Sequence, residues 1–186
     1  VPSQPMLWIS NHVSWTDIPL LGMLAPLSFL SKAEVRDWPL IGRLAQAAGT
    51  LFIRRGSGES RLKAEEIAAH LRAGRTICVF PEGTTTDGRS VRRFFRPLFA
   101  APVLAAAPVQ PVALRYRDEQ GHLDSQVPFI GDDAFHSHLW ALLLRDRIRV
   151  SVTCCTPLPA SEVADLAPET LAETSHALVL RALSHG

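Results

Sequence analysis

His12 and Asp17, held in Asn11-His12-Val13-Ser14-Trp15-Thr16-Asp17, have the types and the spacing to do chemistry together. The carboxylate lies roughly one and a half turns beyond the imidazole if the segment is helical, and it can fold back toward the ring. A carboxylate bonded to one ring nitrogen fixes the tautomer and raises the basicity of the other nitrogen, which can then take a proton from an alcohol. Asp17 has a structural reading as well: Ser14-x-x-Asp17 has capping-box spacing, although Pro19 would then fall beyond the first turn and Thr16 is a rival N-cap.

Two further apolar runs end in polar clusters. Thr50 to Ile53 delivers Arg54 and Arg55, a pair suited to a phosphate or carboxylate, with Arg55 equally suited to solvating the strand end. Thr76 to Phe80 runs into Pro81-Glu82-Gly83-Thr84-Thr85-Thr86-Asp87-Gly88. There Gly83 permits close backbone approach, Thr84 and Thr85 can donate to phosphate oxygens, and Glu82 can receive substrate hydroxyls or tether Arg54. The next segment, Arg89 to Arg96, interleaves four arginines with Phe94 and Phe95. That mixture suits an anionic lipid surface, or a solvated basic loop flanked by core aromatics.

The elements that must position these groups alternate. Strands are expected at Met6–Ser10, Ser28–Ser31, Thr50–Ile53, Thr76–Phe80, Gln110–Tyr116 and Ile148–Cys154. Helices are expected at Ser14–Leu24, Trp38–Ala47, Ser60–Ala73, Leu139–Leu144 and Glu169–Leu183. Leu62, Ile67 and Leu71 form the apolar stripe of the third helix, and Gly74 is its stop. The alternation predicts an α/β single domain, a mixed, mostly parallel sheet flanked by helices. All three polar clusters then fall at carboxyl ends of strands, where open α/β sheets bind ligands.

Composition sets outer bounds. The 186 residues, 47% hydrophobic and 20% charged, fit one globular domain, and a net charge of +1 gives no reason to expect nucleic acid. Cys78, Cys154 and Cys155 have no zinc spacing, the adjacent pair on a strand would face opposite ways, and a reducing compartment fits. The uncharged stretch from Pro97 to Leu114 is interrupted by Pro102, Pro108 and Pro111, and reads as an apolar helix or loop followed by a buried strand. The mean hydropathy of +0.11 suits a protein that works at a membrane surface. No signal peptide is visible, and the chain opens on Val1.

Taken together, these motifs resemble the lysophospholipid acyltransferase family typified by 1-acylglycerol-3-phosphate acyltransferase. Its Asn-His-x-Ser-x-x-Asp motif is matched by Asn11, His12, Ser14 and Asp17; its Gly-x-x-Phe-Ile-x-Arg motif by Gly49, Phe52, Ile53 and Arg55, with Arg54 adjacent. Its Phe-Pro-Glu-Gly-Thr motif is matched from Phe80 to Thr84, and its Val-Pro-type strand by Gln110-Pro111-Val112-Ala113. Ser31-Lys32 resembles the recurrent lysine ahead of Trp38-Pro39-Leu40-Ile41-Gly42, and Phe95-Arg96 stands where the family has Phe-Lys, with Arg replacing Lys and a glycine missing.

The resemblance implies that residues 1–186 are an acyltransferase catalytic domain, preceded in the family by a membrane-docking segment. It implies His12 and Asp17 as catalytic residues. Arg54, Arg55, Glu82, Gly83 and Thr84 would bind substrate, and Asn11, Ser14, Lys32 and Arg96 would contact substrate or membrane. The donor would be acyl-CoA or acyl carrier protein, and no metal or cofactor is required, since a thioester is already activated. Among acceptors, 1-acylglycerol-3-phosphate giving phosphatidic acid stands first, with lyso-ornithine lipid or another lysolipid as alternatives. Trp15, Leu20, Leu21, Met23 and Leu24 are candidates for an acyl groove. A backbone N–H near Gly83, or in the loop after Asn11, would face the oxyanion. The implied location is the membrane, at the cytoplasmic face of the inner membrane. Two rivals remain: a hydrolase with Ser14 as nucleophile and His12 as base, and a non-catalytic lipid-binding module.

Overall fold

Short apolar runs become central strands here because both their faces are covered. The computed structural model describes residues 4–32, 50–53, 60–131 and 134–185. The helix expected over Trp38–Ala47, together with Arg54 and Arg55, lies outside them. Strand β1 (Leu7–Ser10) is buried along its whole length. It pairs in parallel with β4 (Thr76–Val79) on one side and β5 (Val109–Arg117) on the other. With β2 (Leu27–Lys32), β3 (Leu51–Ile53) and β6 (Arg149–Cys154), the sheet order is β3-β2-β4-β1-β5-β6. Only β6 runs antiparallel, closing the edge beside β5. The expected mixed, mostly parallel sheet is therefore present.

Alternate side chains of each strand go to opposite faces. Leu7, Ile9, Ile77, Val79 and Val109 pack beneath α2 (Ser60–Arg72) and α6 (Pro168–His185), with Ile67, Leu171 and Val179. Trp8, Cys78 and Leu114 go to the other face and pack with Phe29 and with Leu21 of α1 (Asp17–Leu24). The stripe of α2 differs from expectation. Leu62 is 63% exposed, and the buried row is Ala64, Ile67, Ala68 and Leu71. Two alanines carry that i, i+3, i+4, i+7 row because α3 packs closely there, and a hydrophobicity reading undervalues alanine.

The proline-broken stretch resolves as read: a 3₁₀ turn (Arg96–Phe99), then α3 (Ala100–Ala105), then β5. Ala106 at φ 47° ends α3 in a left-handed cap. Helix α4 (Phe135–Leu143) starts earlier than expected, α5 (Ala160–Asp165) is additional to the expected helices, and α6 covers the expected Glu169–Leu183. None of the described helices is long and apolar enough to cross a membrane.

The registers decide the site. Ser10, the last residue of β1, lies beside Val112, whereas β5 continues to Arg117. The carboxyl half of β5 therefore rises past the end of β1 and carries Tyr116 above the loop that holds His12. There Val13, Tyr116, Val127 and Leu142 form a small third apolar cluster that roofs this edge of the sheet.

Candidate active site

The loop after β1 is fastened at almost every atom. The Asn11 side chain, fully buried, donates to Leu114 O (3.0 Å) and accepts from Leu114 N (2.8 Å), riveting the end of β1 to β5. His12 N donates to Glu82 Oε1 (2.8 Å), and His12 O accepts from Thr86 N (2.8 Å). Val13 O accepts from Phe129 N (3.0 Å). The backbone carrying the imidazole is thus held by three separate segments.

Asp17, 0% exposed, opens α1 and turns back on this loop. Its Oδ2 accepts from Val13 N (2.7 Å) and Ser14 N (3.0 Å) and lies 2.8 Å from His12 Nδ1. Its Oδ1 accepts from Tyr116 Oη (2.6 Å). Thr16, the rival candidate, is the N-cap of α1 and makes no side-chain cap bond, so Ser14 and Asp17 do not close a capping box; the Asp17 carboxylate serves the loop and the imidazole instead. With Asp17 ionised, Nδ1 carries the proton and Nε2 is left as the acceptor. The ring stacks on Phe80 at a centroid distance of 4.0 Å and an interplanar angle of 14°. It keeps 17% of its surface exposed, and among the described residues nothing bonds to Nε2.

In the sequence Tyr116 reads as an ordinary residue at the end of a strand. Burial, and then the neighbouring Asp17 charge, push its phenol well above the usual range. It therefore stays a donor to Asp17 and accepts from Thr16 Oγ1 at 3.0 Å. A tyrosine at the end of a strand that outruns its neighbour is the only signal that could have flagged it.

Glu82 has a different place from the one expected. Its two oxygens accept from His12 N (2.8 Å) and Arg92 N (2.6 Å), so it braces two loops from beneath. Burial raises its pKa, and those two backbone donors oppose the rise. The expected oxyanion donors are also committed. The amides of His12, Val13 and Ser14 serve carboxylates, and Gly83 N, on a residue at φ +71°, donates to Phe80 O (3.1 Å). Exposed Thr84 has no hydrogen-bond partner among the described residues. Thr85 Oγ1 is bonded to Phe129 O.

Ser14 is fully buried, its hydroxyl faces Thr16 N (3.5 Å), and it makes no bond to His12. That placement removes it as a nucleophile and, with Asn11, turns it away from any ligand. Cys78 is no substitute, because burial and the Asp17 charge push its thiol far up. Arg54, Arg55 and the Lys32 side chain lie outside the described residues; the Lys32 backbone ends β2 opposite Ile53. Arg96 pairs with Glu173 of α6 at 2.6 Å, away from the imidazole.

Of the groove candidates, Leu21 is core and Leu20 packs on it, while Met23 and Leu24 are exposed. Trp15 Nε1 donates to His138 Nδ1 (3.0 Å) of α4. No cluster of three or more His, Cys, Asp or Glu suited to a metal ion occurs among the described residues.

An imidazole polarised by a buried carboxylate, exposed on its other nitrogen and set at the carboxyl edge of an open sheet, defines a site for base-assisted attack by a hydroxyl. Comparison with known proteins narrows the class. The acyltransferase family model matches residues 1–115. The chain is 58% identical over 159 residues to a lyso-ornithine lipid O-acyltransferase of Pseudomonas aeruginosa, covering 86% of this chain and 61% of that one. It is 33% identical over 183 residues to the 1-acyl-sn-glycerol-3-phosphate acyltransferase of Neisseria meningitidis, covering 96% and 71%. The crystal structure of the 1-acyl-sn-glycerophosphate acyltransferase PlsC of Thermotoga maritima shares the fold, with a TM-score of 0.68 at 22% identity over 100% of this chain and 67% of that one. The chain belongs to the acyltransferase family. It spans about three fifths of the lyso-ornithine lipid O-acyltransferases of Pseudomonas aeruginosa and Brucella abortus, 61% and 62% of their lengths.

Proposed function

We propose that this chain carries the catalytic centre of an O-acyltransferase that moves a fatty acyl group from a thioester to the free hydroxyl of a lysolipid. The observation that carries the reading is the His12–Asp17 pair at 2.8 Å with Nε2 left open. The lysolipid hydroxyl binds at Nε2. As its oxygen attacks the thioester carbonyl, the proton passes to His12, and Asp17 holds the imidazolium that forms. Collapse of the tetrahedral intermediate breaks the C–S bond, and His12 returns the proton to the departing thiolate, leaving an ester and a free thiol. Thr84, whose hydroxyl and amide have no partner among the described residues, is the available donor to the oxyanion. A positioned base of this kind supplies about 10²- to 10⁴-fold, and orientation supplies much of the rest. The donor is acyl-CoA or acyl carrier protein, with no metal or further cofactor.

The acceptor ranks lyso-ornithine lipid ahead of 1-acylglycerol-3-phosphate, the reverse of the order taken from the motifs, because the 58% relative bears that name. Arg54, Arg55 and Gly83 remain proposed contacts for its head group. Exposed Met23, Leu24, Trp140, Leu143 and Leu144 on α1 and around α4 support work against a membrane, proposed to be the cytoplasmic face of the inner membrane.

The test pairs the intact protein with His12→Ala, supplying acyl-CoA or acyl carrier protein and a panel of lysolipids, and follows thiol release and lipid product together. Diacylated product that falls at least about 10²-fold in the folded variant is the expected result. Thiol release without lipid product would mean a hydrolase, and lysolipid binding without either product would mean a binding module.

A further inference from the structure

A cleft of about 360 Å³ opens beside α6, lined by Arg93, Phe94, Arg96, Ala172, Glu173 and His176. Three cationic or titratable basic groups face a single carboxylate there. Arg93 is exposed and has no ion-pair partner among the described residues. Arg96 is held by Glu173 in a largely solvated pair, the kind that gives way readily to a better ligand. His176 directs Nε2 to Val91 O (3.4 Å), presents its ring at 86° to Phe94, and keeps Nδ1 open. Phe94 and Ala172 add an apolar wall.

The cleft adjoins the reactive edge without being part of it. The irregular segment that lines it is bonded to the Phe80-Pro81-Glu82 turn through Arg92 N to Glu82 Oε2 (2.6 Å) and Phe95 N to Pro81 O (2.8 Å). The other oxygen of Glu82 holds His12 N, so the Glu82 carboxylate and the backbone of residues 91–92 stand between the cleft and the imidazole. His176 is near enough for its charge to bear on Glu82.

We propose that this cleft seats the phosphate at the far end of the acyl donor's pantetheine arm, with the thioester laid across the sheet edge to His12. The inference rests on the acyltransferase reading. Two guanidinium forks match phosphate oxygens, His176 adds a donor at Nδ1 only once it takes up a proton, since Nε2–H is given to Val91 O, and the apolar wall matches the methyl and methylene groups of the arm. A glycerol phosphate head group does not fit the same place. In a glycerol phosphate the anion is only a few bonds from the hydroxyl that must lie on His12, too short a reach to pass Glu82 and residues 91–92. The pantetheine arm, with two amides and their spacers, is long enough.

The experiment measures donor binding apart from turnover. Coenzyme A is titrated into the His12→Ala protein by calorimetry, with and without Arg93→Gln and His176→Gln together, and thermal melting confirms that each variant is folded. The expected result is a CoA dissociation constant raised at least about tenfold by the pair, corresponding to the loss of one charge-assisted contact. In otherwise wild-type protein the KM for the donor should rise similarly, with the lysolipid KM and saturated rate unchanged. Unphosphorylated pantetheine thioester should bind both forms alike, and running acyl-CoA beside acyl carrier protein shows which phosphate the cleft takes. Unchanged CoA binding in a folded double variant would overturn the proposal, as would a rise in the lysolipid KM in place of the donor's. Because CoA binding is read without turnover, an inactive wild type would count against the acyltransferase reading alone.

Discussion

Two buried aspartates in this chain are satisfied in different ways, and the difference separates chemistry from scaffolding. Asp17 and Asp124 each accept two backbone N–H groups, from Val13 and Ser14 in one case and from Gln126 and Val127 in the other. Each also has a basic side chain, His12 at 2.8 Å or Arg145 at 2.6 Å. Arginine does not release its proton in the accessible pH range, so the Asp124–Arg145 pair is a fixed clamp between the loop after β5 and the end of α4. Burial works to raise the Asp124 pKa, but the Arg145 bond and the two backbone donors more than offset it and hold the carboxyl below its usual range. Histidine can take up and release a proton, so the same buried carboxylate beside it prepares a base. Asp17 has a further fixed donor in Tyr116, which keeps one oxygen occupied while the other attends to the ring.

The comparison is broken most severely by Asp17→Asn. An amide at that position can leave Nδ1 facing the wrong partner and stabilises no imidazolium. Turnover should fall about 10³- to 10⁴-fold, by analogy with the same change in serine-protease triads, while CoA binding persists. A loss under about tenfold in steady-state assays would show that Asp17 serves only the loop.

Asp124→Asn should leave the saturated rate within about twofold while lowering stability by about 2 kcal/mol, because Arg145 loses its charged partner yet remains partly solvated. The pH dependence has a definite sign. A carboxyl held below its unfolded value contributes stability that is present above the ordinary aspartate pKa of 3.8 and is lost as pH falls below it. Acid denaturation of wild type should therefore contain a component beginning near pH 4 that Asp124→Asn lacks. Superimposable acid profiles would contradict this.

Tyr116→Phe sharpens the comparison with the smallest change. It removes one donor to a buried charge and should cost about 1–2 kcal/mol in chemical denaturation. The rate should fall several-fold with KM held, and the alkaline-to-acid shape of kcat against pH should shift, because Oδ1 of Asp17 loses its anchor. A loss of stability with an unaltered pH profile would leave Tyr116 with a packing role only.

The sequence made the dyad legible because its parts are five residues apart, within the reach of one loop and one helical turn. Strand positions were readable from continuous apolar runs, as in Thr76–Val79. Neighbours across the sheet were not. Tyr116 meets Asp17 over a separation of 99 residues, Glu82 meets His12 over 70, and Asn11 meets Leu114 over 103. Nothing local in Phe-Pro-Glu-Gly-Thr distinguishes a carboxylate that binds a ligand from one that caps two backbone amides. The stripe of α2 differs from its expectation for a related reason: Leu62 is hydrophobic by type, but its burial is settled by what packs against the helix.

What the sequence determined by itself was local and periodic: the alternation of strands and helices, the His–Asp spacing, and the polar clusters at strand ends. These follow from backbone geometry and side-chain type, which act over a few residues. Only the tertiary structure decided which polar groups are spent and which are free. Parallel pairing brings the ends of β1, β4 and β5 to one edge, and each buried N–H and carboxylate there had to find a partner as water left. Among the described residues His12 Nε2, Thr84 and Arg93 have no hydrogen-bond or ion-pair partner, and they are available to a substrate.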